Sequence, residues 1–169
     1  MSSLYRNAVD QLQPALDAVN LQEIADQIRK ARRLCGYAVG DSQYTLLAFL
    51  NRLKKIGIFG ISATDVGDTF YITRGMTSED LALFVSYSGE MKEINDELYT
   101  LRRRRVPIIA LTGSIESYLA GMSTRTIVIP HLEGTTDEKV ATFYSQFAFD
   151  YILNVIYALI YNGQQDSVQ

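Results

Sequence analysis

Residues 81–98 read LALFVSYSGEMKEINDEL, an apolar run followed by a turn rich in serine and glycine and then by spaced apolar positions. The run from Leu81 to Val85 has the length of a buried strand, and Met91, Ile94 and Leu98 recur at the spacing of one helix face. A strand, a short turn and a helix in this order form the repeating unit of α/β proteins. The stretch therefore predicts a parallel sheet flanked by helices.

The same unit repeats along the chain on both sides of this stretch. Apolar runs that predict the other strands lie at 34–39, 58–61, 106–111 and 126–129. Helical spacing of apolar residues is found at 21–33, 46–55, 91–101, 118–122 and 140–159, and more weakly at 66–76. Strands that alternate with helices favour right-handed crossovers and a parallel sheet covered on both faces. We divide the chain into a leading helix or linker at 1–20, one domain at 21–162 and a flexible tail at 163–169.

The composition is that of one soluble globular domain, because 47% of the 169 residues are hydrophobic and 21% are charged. The formal net charge of −3 provides no general attraction for nucleic acid. The single cysteine, Cys35, excludes an intrachain disulfide and favours a reducing compartment. The amino terminus lacks the order of a signal peptide, and no apolar stretch approaches the roughly 20 residues that span a bilayer. We therefore expect a cytoplasmic protein without membrane contact.

Hydroxyl side chains and glycines follow the predicted strands at the points where the strands end. They lie in the turns 40–42, 62–65, 86–90, 112–114 and 131–136. The carboxyl ends of parallel strands meet at one edge of the sheet, which is where open α/β sheets bind ligands. Small hydroxyls and the N–H groups of helix amino termini suit a phosphate. The alternative is that each serine or threonine only caps the following helix, which is the usual role of these residues.

The residues indicate no metal, cofactor or catalytic centre. No cysteine and histidine are spaced as metal ligands, and neither a nucleotide-binding P-loop nor a dinucleotide fingerprint is present. His131, Glu90 and Glu133 are the candidate bases for a proton transfer, although a loop histidine or a carboxylate at a helix start is more commonly structural. The run Arg102–Arg105 ends a predicted helix, where cations are favoured, so we interpret it as a solvated helix end and not as a nucleic-acid contact.

The segment 86–93, SYSGEMKE, resembles the signature of the sugar isomerase, or SIS, domain. The resemblance extends from about Leu21 to Leu159 and is greatest to the effector domain of RpiR-type bacterial transcription regulators. It implies a five-stranded parallel sheet in a three-layer αβα, flavodoxin-like arrangement, a bound sugar phosphate and a homodimer. The ligand-binding residues that it implies are Gly40, Ser42, Ser86, Ser88, Gly89, Glu90, Thr112 and Ser114.

Two positions depart from this family pattern. Met91 stands where the family often has a threonine that binds phosphate, and Asp41 places a carboxylate where the family often has serine. A carboxylate close to a phosphate repels it. We therefore expect that Met91→Thr and Asp41→Ser would strengthen phosphate binding, and a neutral sugar remains an alternative ligand.

Three functions are consistent with the resemblance. The first is a non-catalytic sensor of sugar phosphate in a regulator of carbohydrate metabolism, which contacts DNA only through a helix-turn-helix domain absent from this chain. The second is a stand-alone ketose-aldose sugar phosphate isomerase, which the scarcity of candidate bases disfavours. The third is a sugar phosphate-binding protein that lacks any regulatory partner. We expect a homodimer through the carboxyl-terminal helix, because its apolar surface from Val140 to Leu159 is wider than one sheet face buries. The aromatic residues expected at this interface are Tyr144, Phe147, Tyr151 and Tyr157.

Overall fold

The computed structural model describes residues 2–63, 66–131 and 138–166. In chain order the elements are α1 (Ser2–Asp17), α2 (Leu21–Lys30), β1 (Leu34–Ala38), α3 (Asp41–Lys54), β2 (Gly60–Ser62), α4 (Val66–Gly75), β3 (Leu81–Val85), α5 (Asn95–Arg103), β4 (Ile108–Thr112), α6 (Tyr118–Met122), β5 (Arg125–Val128) and α7 (Glu138–Asp166). A short 3₁₀ turn at Lys92–Ile94 leads into α5. The predicted alternation of strands and helices is confirmed.

The strands form a single sheet with helices on both faces. Their order is β2-β1-β3-β4-β5, and each neighbouring pair is parallel. Side chains of β3 alternate between the two faces, since Leu83 and Val85 pack in one core whereas Ala82 and Phe84 pack in the other. The first core lies against α1, α2, α3 and α7, and the second against α4, α5 and α6. The expected three-layer αβα arrangement with a five-stranded parallel sheet is confirmed.

The strand order reverses between β1 and β3. From β1 the chain passes through α3 to β2 at one edge, and it then returns to β3 on the other side of β1. The helices that follow β1 and β3 lie on opposite faces of the sheet. Such a reversal opens a crevice above the carboxyl ends of the two strands. The turns that begin at Gly40 and Ser86 flank this crevice.

An ionic cluster lies at the amino edge of the sheet, which is the edge formed by the amino ends of the strands, opposite the crevice. Arg32 and Arg33 donate to the carboxylate of Asp80 at 2.8 to 3.1 Å, and the N–H of Thr77 donates to it at 2.7 Å. The Asp80 side chain is 0% exposed. Its pKa is lowered well below the usual range, chiefly because Arg33 bonds the charged carboxylate. These contacts explain why α2 ends at Lys30 and not at residue 33 as predicted, since both arginines turn toward β3.

Helix α7 runs antiparallel to the strands and is held by hydrogen bonds at both the carboxyl and the amino edge of the sheet. At the carboxyl edge, the amide of Gln146 donates to Ser42 Oγ at 3.2 Å. At the amino edge, the carbonyl of Gly163 accepts from Arg29 at 3.0 Å and the amide of Gln164 donates to the carbonyl of Ile56 at 3.1 Å. Residues 163–166, which the sequence assigned to a flexible tail, are helical because these contacts hold the last turn of α7.

Part of α7 is long and apolar enough to span a bilayer by length and composition alone. The segment Thr142–Gln165 has 24 residues and contains an 18-residue stretch with a mean hydropathy of 1.2, of which 44% is buried. The expectation that no apolar stretch approaches this length is therefore wrong. A core helix of a soluble protein meets the same criterion, and Ile152, Leu153 and Ile156 lie buried against the sheet and its helices.

Candidate functional site

The turn after β3 is held by its own serine hydroxyls. Ser86 Oγ accepts the N–H of Gly89 at 3.2 Å, and Ser88 Oγ accepts the N–H of Glu90 at 3.2 Å. Gly89 has a φ of 67°, in the left-handed region that favours glycine. A Cβ atom at Gly89 would lie 2.2 Å from Ser117 Oγ, so glycine is also required by space. The predicted residues Ser86, Ser88 and Gly89 therefore form one compact turn above β3.

The turn after β4 is joined directly to the turn after β3. The carbonyl of Tyr87 accepts the N–H of Gly113 at 2.8 Å and the hydroxyl of Thr112 at 3.3 Å. Thr112 is 0% exposed, and its Oγ1 also accepts the N–H of Ser114 at 3.4 Å. Thr112 thus has a structural role within the predicted site, whereas Ser114 is only half-buried.

The turn after β1 faces these two turns across the crevice. Gly40 has a φ of 60° and is the amino-terminal cap of α3. Ser42 lies in the first turn of α3, where it is buried and bonded to Gln146, which in turn accepts from Thr45 Oγ1 at 2.8 Å. Asp41 is exposed in the same turn. The polar turn predicted from sequence is therefore the beginning of a helix, and Asp41 lies near the anion site that the resemblance implies.

Glu90 and Met91 have roles that differ from a simple ligand contact. The carboxylate of Glu90 accepts the N–H of Tyr118 at 2.9 Å and so caps α6. Met91 is 1% exposed and packs in the core beneath α5. A threonine at position 91 would therefore reduce core packing, a cost that the expected gain in phosphate binding from Met91→Thr must exceed.

Two functional candidates at this edge were not recognised from sequence. The hydroxyl of Tyr87 lies 2.8 Å from Nδ1 of His131, and burial raises the pKa of the tyrosine. Ser117, the cap of α6, packs its hydroxyl against Gly89. The position of Tyr87 between two site serines was the available signal for the first, and nothing in the sequence pairs Ser117 with a turn 28 residues earlier.

Some predicted residues lie elsewhere or outside the described part of the chain. Thr64 and Asp65 of one predicted turn, and residues 132–136 of another with the candidate base Glu133, are outside the described residues. The run Arg102–Arg105 ends α5, and Arg104 donates to the carbonyl of Met76 at 2.9 Å, as expected for a helix end. Within 2–63, 66–131 and 138–166, no three histidine, cysteine or acidic side chains could together hold a metal ion.

A separate cavity of about 460 Å³ lies at the amino edge of the sheet. Its lining carries both charges, with Asp80 and Glu23 already paired to Arg33 and Arg125 respectively. It lies at the opposite edge from the turns that follow β1, β3 and β4. We place the candidate site at the crevice, because parallel α/β sheets bind ligands at the carboxyl edge.

Comparison with known proteins links the chain to a family and finds relatives of two kinds. The family model described as SIS domain matches residues 27–155. An uncharacterized HTH-type transcriptional regulator from Haemophilus influenzae is 27% identical, over 95% of this chain and 55% of the relative. The 3-hexulose-6-phosphate isomerase of Mycobacterium gastri is 25% identical, over 99% of this chain and 82% of the enzyme. The chain thus spans about half the length of the regulator and most of the isomerase.

A solved structure shares the same fold. The Vibrio vulnificus NanR protein complexed with ManNAc-6P superposes with a TM-score of 0.80 and is 26% identical. The match covers 98% of this chain and 64% of the NanR chain.

Proposed function

The chain belongs to the SIS domain family, and from this membership we propose that it is a phosphosugar-sensing domain that performs no chemistry on its ligand. The observation that carries the proposal is the β3 turn, in which Ser86, Ser88 and Gly89 wrap the backbone beside the crevice. The two serine oxygens accept the N–H groups of Gly89 and Glu90, which leaves both serine O–H groups able to donate to a phosphate. The complex of NanR with ManNAc-6P supports a phosphosugar as the ligand.

The regulatory part of the proposal concerns the protein in which the domain acts. The HTH-type relative supports a role in a transcriptional regulator. We propose that this regulator is cytoplasmic and acts in carbohydrate metabolism. The net charge of −3 offers no general attraction for DNA. DNA contact would therefore come through a separate helix-turn-helix domain, and the bound sugar phosphate would shift the balance between two arrangements of the protein.

We expect ManNAc-6P, fructose 6-phosphate or 3-hexulose 6-phosphate to raise the melting temperature of the full chain. A ligand at about 100 times its Kd stabilises the folded state by about 2.7 kcal/mol. The double change Ser86→Ala and Ser88→Ala should abolish the shift, because it removes both hydroxyls of the turn. The melting temperature is measured by differential scanning fluorimetry with each sugar phosphate added, and with inorganic phosphate added for comparison.

The matched control is Ser123→Ala, whose hydroxyl bonds the carbonyl of Leu119 away from the crevice. This variant should keep the full ligand shift. Circular dichroism of the unliganded double variant separates loss of binding from loss of folding. An unchanged shift in the folded double variant would place the ligand elsewhere and contradict the site.

A second candidate function is sugar phosphate isomerisation, which the isomerase relative and the contact between Tyr87 and His131 favour. A histidine held at the edge of the crevice could act as a base. The same sugar phosphates, followed for conversion between ketose and aldose, distinguish the candidates. Turnover that is lost in His131→Ala would identify an enzyme and contradict the sensing proposal.

We also propose that the chain forms a homodimer, through a narrower part of α7 than the sequence suggested. Tyr144 is 2% exposed and is not available to a partner, whereas Phe143 and Tyr161 are 48% and 46% exposed. Phe147, Tyr151 and Tyr157 are half-buried against their own domain. We propose that a second copy covers the surface formed by Phe143 of α7 and its neighbour Tyr5 of α1, where two exposed aromatic rings lie together.

Sedimentation velocity of the wild type at tens of micromolar should give a dimer. Phe143→Glu should give a folded monomer, because a charge in an apolar interface must be desolvated without a partner. Tyr99→Glu, at a 54% exposed tyrosine on α5, is the control and should remain dimeric. A monomeric wild type at these concentrations would refute the dimer.

A further inference from the structure

We propose that the domain has a second ligand site, for the ammonium group of a small organic amine, in a cavity between α4 and α5 where Glu97 is the buried counter-ion. None of the residues that line this cavity belongs to the turns after β1, β3 and β4. The inference therefore does not rest on the function proposed above. It is carried by a buried carboxylate without a partner and by the hydrogen-bond acceptors around it.

The cavity has a volume of about 150 Å³ and lies between two of the helices that cover the second core. Its lining comes from α4 and α5 and consists of Phe70, Thr73, Arg74, Asp96, Glu97 and Thr100. A water molecule occupies about 30 Å³ in the liquid, so the cavity has room for about five non-hydrogen atoms. A small amine fits this space, whereas a sugar phosphate is too large for it.

Glu97 is the lining residue whose burial packing alone does not explain. It is 8% exposed, and within the described part of the chain its carboxylate takes part in no hydrogen bond and no ion pair. Buried carboxylates are normally paired, because a charge removed from water without a partner is costly. The first turn of α5 favours a negative charge through the helix dipole, but this effect does not require the side chain to be buried. The burial of Glu97 against a cavity therefore indicates a positively charged occupant.

The groups beside Glu97 are suited to accept hydrogen bonds. Thr100 donates its hydroxyl proton to the carbonyl of Asp96 at 2.8 Å, which leaves the hydroxyl oxygen able to accept. The carboxylate of Asp96 belongs to an exposed residue at the rim of the cavity. An ammonium group has three N–H donors and no acceptor, so it matches two carboxylates and one hydroxyl oxygen.

Arg74 also lines the cavity but does not neutralise it. Its guanidinium lies over the ring of Phe70, 4.0 Å from the ring centroid, and it forms no ion pair with either carboxylate. Two carboxylates and one guanidinium leave the lining with a net negative charge, which a monovalent cation would balance. A metal ion matches less well, because within the described ranges no three acidic, histidine or cysteine side chains could hold one together.

The test is a titration of the full chain with ethanolamine at neutral pH, followed by the NMR shifts of the backbone amides. Ethylene glycol has the same number of non-hydrogen atoms and no charge, so it is the matched neutral probe. Ethanolamine should give saturable shifts centred on α4 and α5, and ethylene glycol should give none. Glu97→Gln should weaken ethanolamine binding by about tenfold or more, because it removes the charge and keeps the shape. Its unliganded melting temperature should not fall, because the variant buries no unpaired charge.

Two further variants serve as controls. Glu79→Gln is the same change at a carboxylate that is 75% exposed, and it should bind ethanolamine as wild type does. Arg74→Gln removes the cation that lines the cavity and should bind ethanolamine at least as tightly as wild type.

The absence of saturable shifts in wild type overturns the inference, as does equal binding of ethylene glycol. Unchanged ethanolamine affinity in Glu97→Gln also overturns it, and a lower melting temperature in that variant would then show that Glu97 only stabilises the start of α5. Weaker binding in Arg74→Gln would mean that the arginine holds the ligand, which contradicts a cation site. Sugar phosphate binding at the crevice is measured separately, so neither result decides the other.

Discussion

Replacing Gly89 by alanine is expected to lower the free energy of unfolding by about 2 to 5 kcal/mol and to abolish sugar phosphate binding. The φ of 67° alone costs an alanine about 1 to 2 kcal/mol. The added Cβ would lie 2.2 Å from Ser117 Oγ and 2.9 Å from Thr112 Oγ1, so the turns after β3 and β4 must separate. Overpacking of this kind adds about 1 to 3 kcal/mol. Urea denaturation and calorimetry of the variant measure the two effects.

The control for this prediction is Gly57→Ala, after the end of α3. Gly57 also has a positive φ, of 81°, but a Cβ added there would meet no atom within 4 Å. The free energy of unfolding of this variant should fall only by the cost of the left-handed backbone conformation, about 1 to 2 kcal/mol, and the variant should still bind its ligand. Equal losses of stability in the two variants would mean that the contact with Ser117 does not constrain the turn.

Asp80→Asn is expected to cost about 3 kcal/mol at neutral pH. The change removes the charge from a carboxylate that is 0% exposed and bonded to two arginines. Breaking a buried pair costs about 3 to 5 kcal/mol, and the partial exposure of Arg32 and Arg33 places the loss at the lower end. Urea denaturation followed by circular dichroism measures it.

The same residue predicts how stability depends on pH. The folded-state pKa of Asp80 is lowered, so its contribution is fully present above the pKa of an unfolded aspartate, about 3.9. The contribution is lost as the pH falls through the lower pKa of the folded state. The difference in stability between wild type and Asp80→Asn should therefore be constant near neutral pH and shrink progressively below about pH 4.

Glu79→Gln is the matched control, because Glu79 is adjacent in sequence but its side chain is 75% exposed and 3.9 Å from Arg32. It should change the free energy of unfolding by no more than about 0.5 kcal/mol. A loss in Asp80→Asn as small as in this control, or a difference that persists undiminished at about pH 2, would contradict the role given to the buried carboxylate.

The strands could be predicted because a parallel sheet covered on both faces needs continuous apolar runs. The run at 81–85 and the observed β3 coincide, and β1 differs from its prediction by one residue. The ends of elements were less predictable, since they depend on partners that are distant in sequence. Helix α2 ends where it does because of Asp80, which no local pattern near Lys30 reveals.

The residues of the candidate site could be located, but their individual roles could not. Turn composition placed Ser86, Ser88 and Thr112 at one edge, and the structure brings them together. Only the structure shows that Thr112 bonds the backbone of Tyr87 and that Glu90 caps α6. These roles depend on which neighbour each hydroxyl or carboxylate reaches, and that is determined by tertiary packing.

The apolar width of α7 was interpreted as a dimer surface because a helix against one sheet face buries a single stripe. In the structure this helix packs against the sheet and also against α2, α3 and α1. These three neighbouring helices cover most of the apolar surface of α7 that the sheet does not bury, and Tyr144 belongs to the core that they share. The sequence could not reveal this arrangement, because it depends on where α1 and α2 pack against α7 in the folded domain.

The position of α7 in the chain also determines the order in which the domain is completed during synthesis. All five strands leave the ribosome before this helix does, since α7 follows β5. Until it emerges, the sheet face that carries Leu83, Val85 and Leu111 lacks its central cover. Nascent chains with exposed apolar surface are prone to aggregation and are bound by chaperones. The nascent domain should therefore depend on such protection until its last helix has cleared the exit tunnel, and acquire most of its stability in one late step.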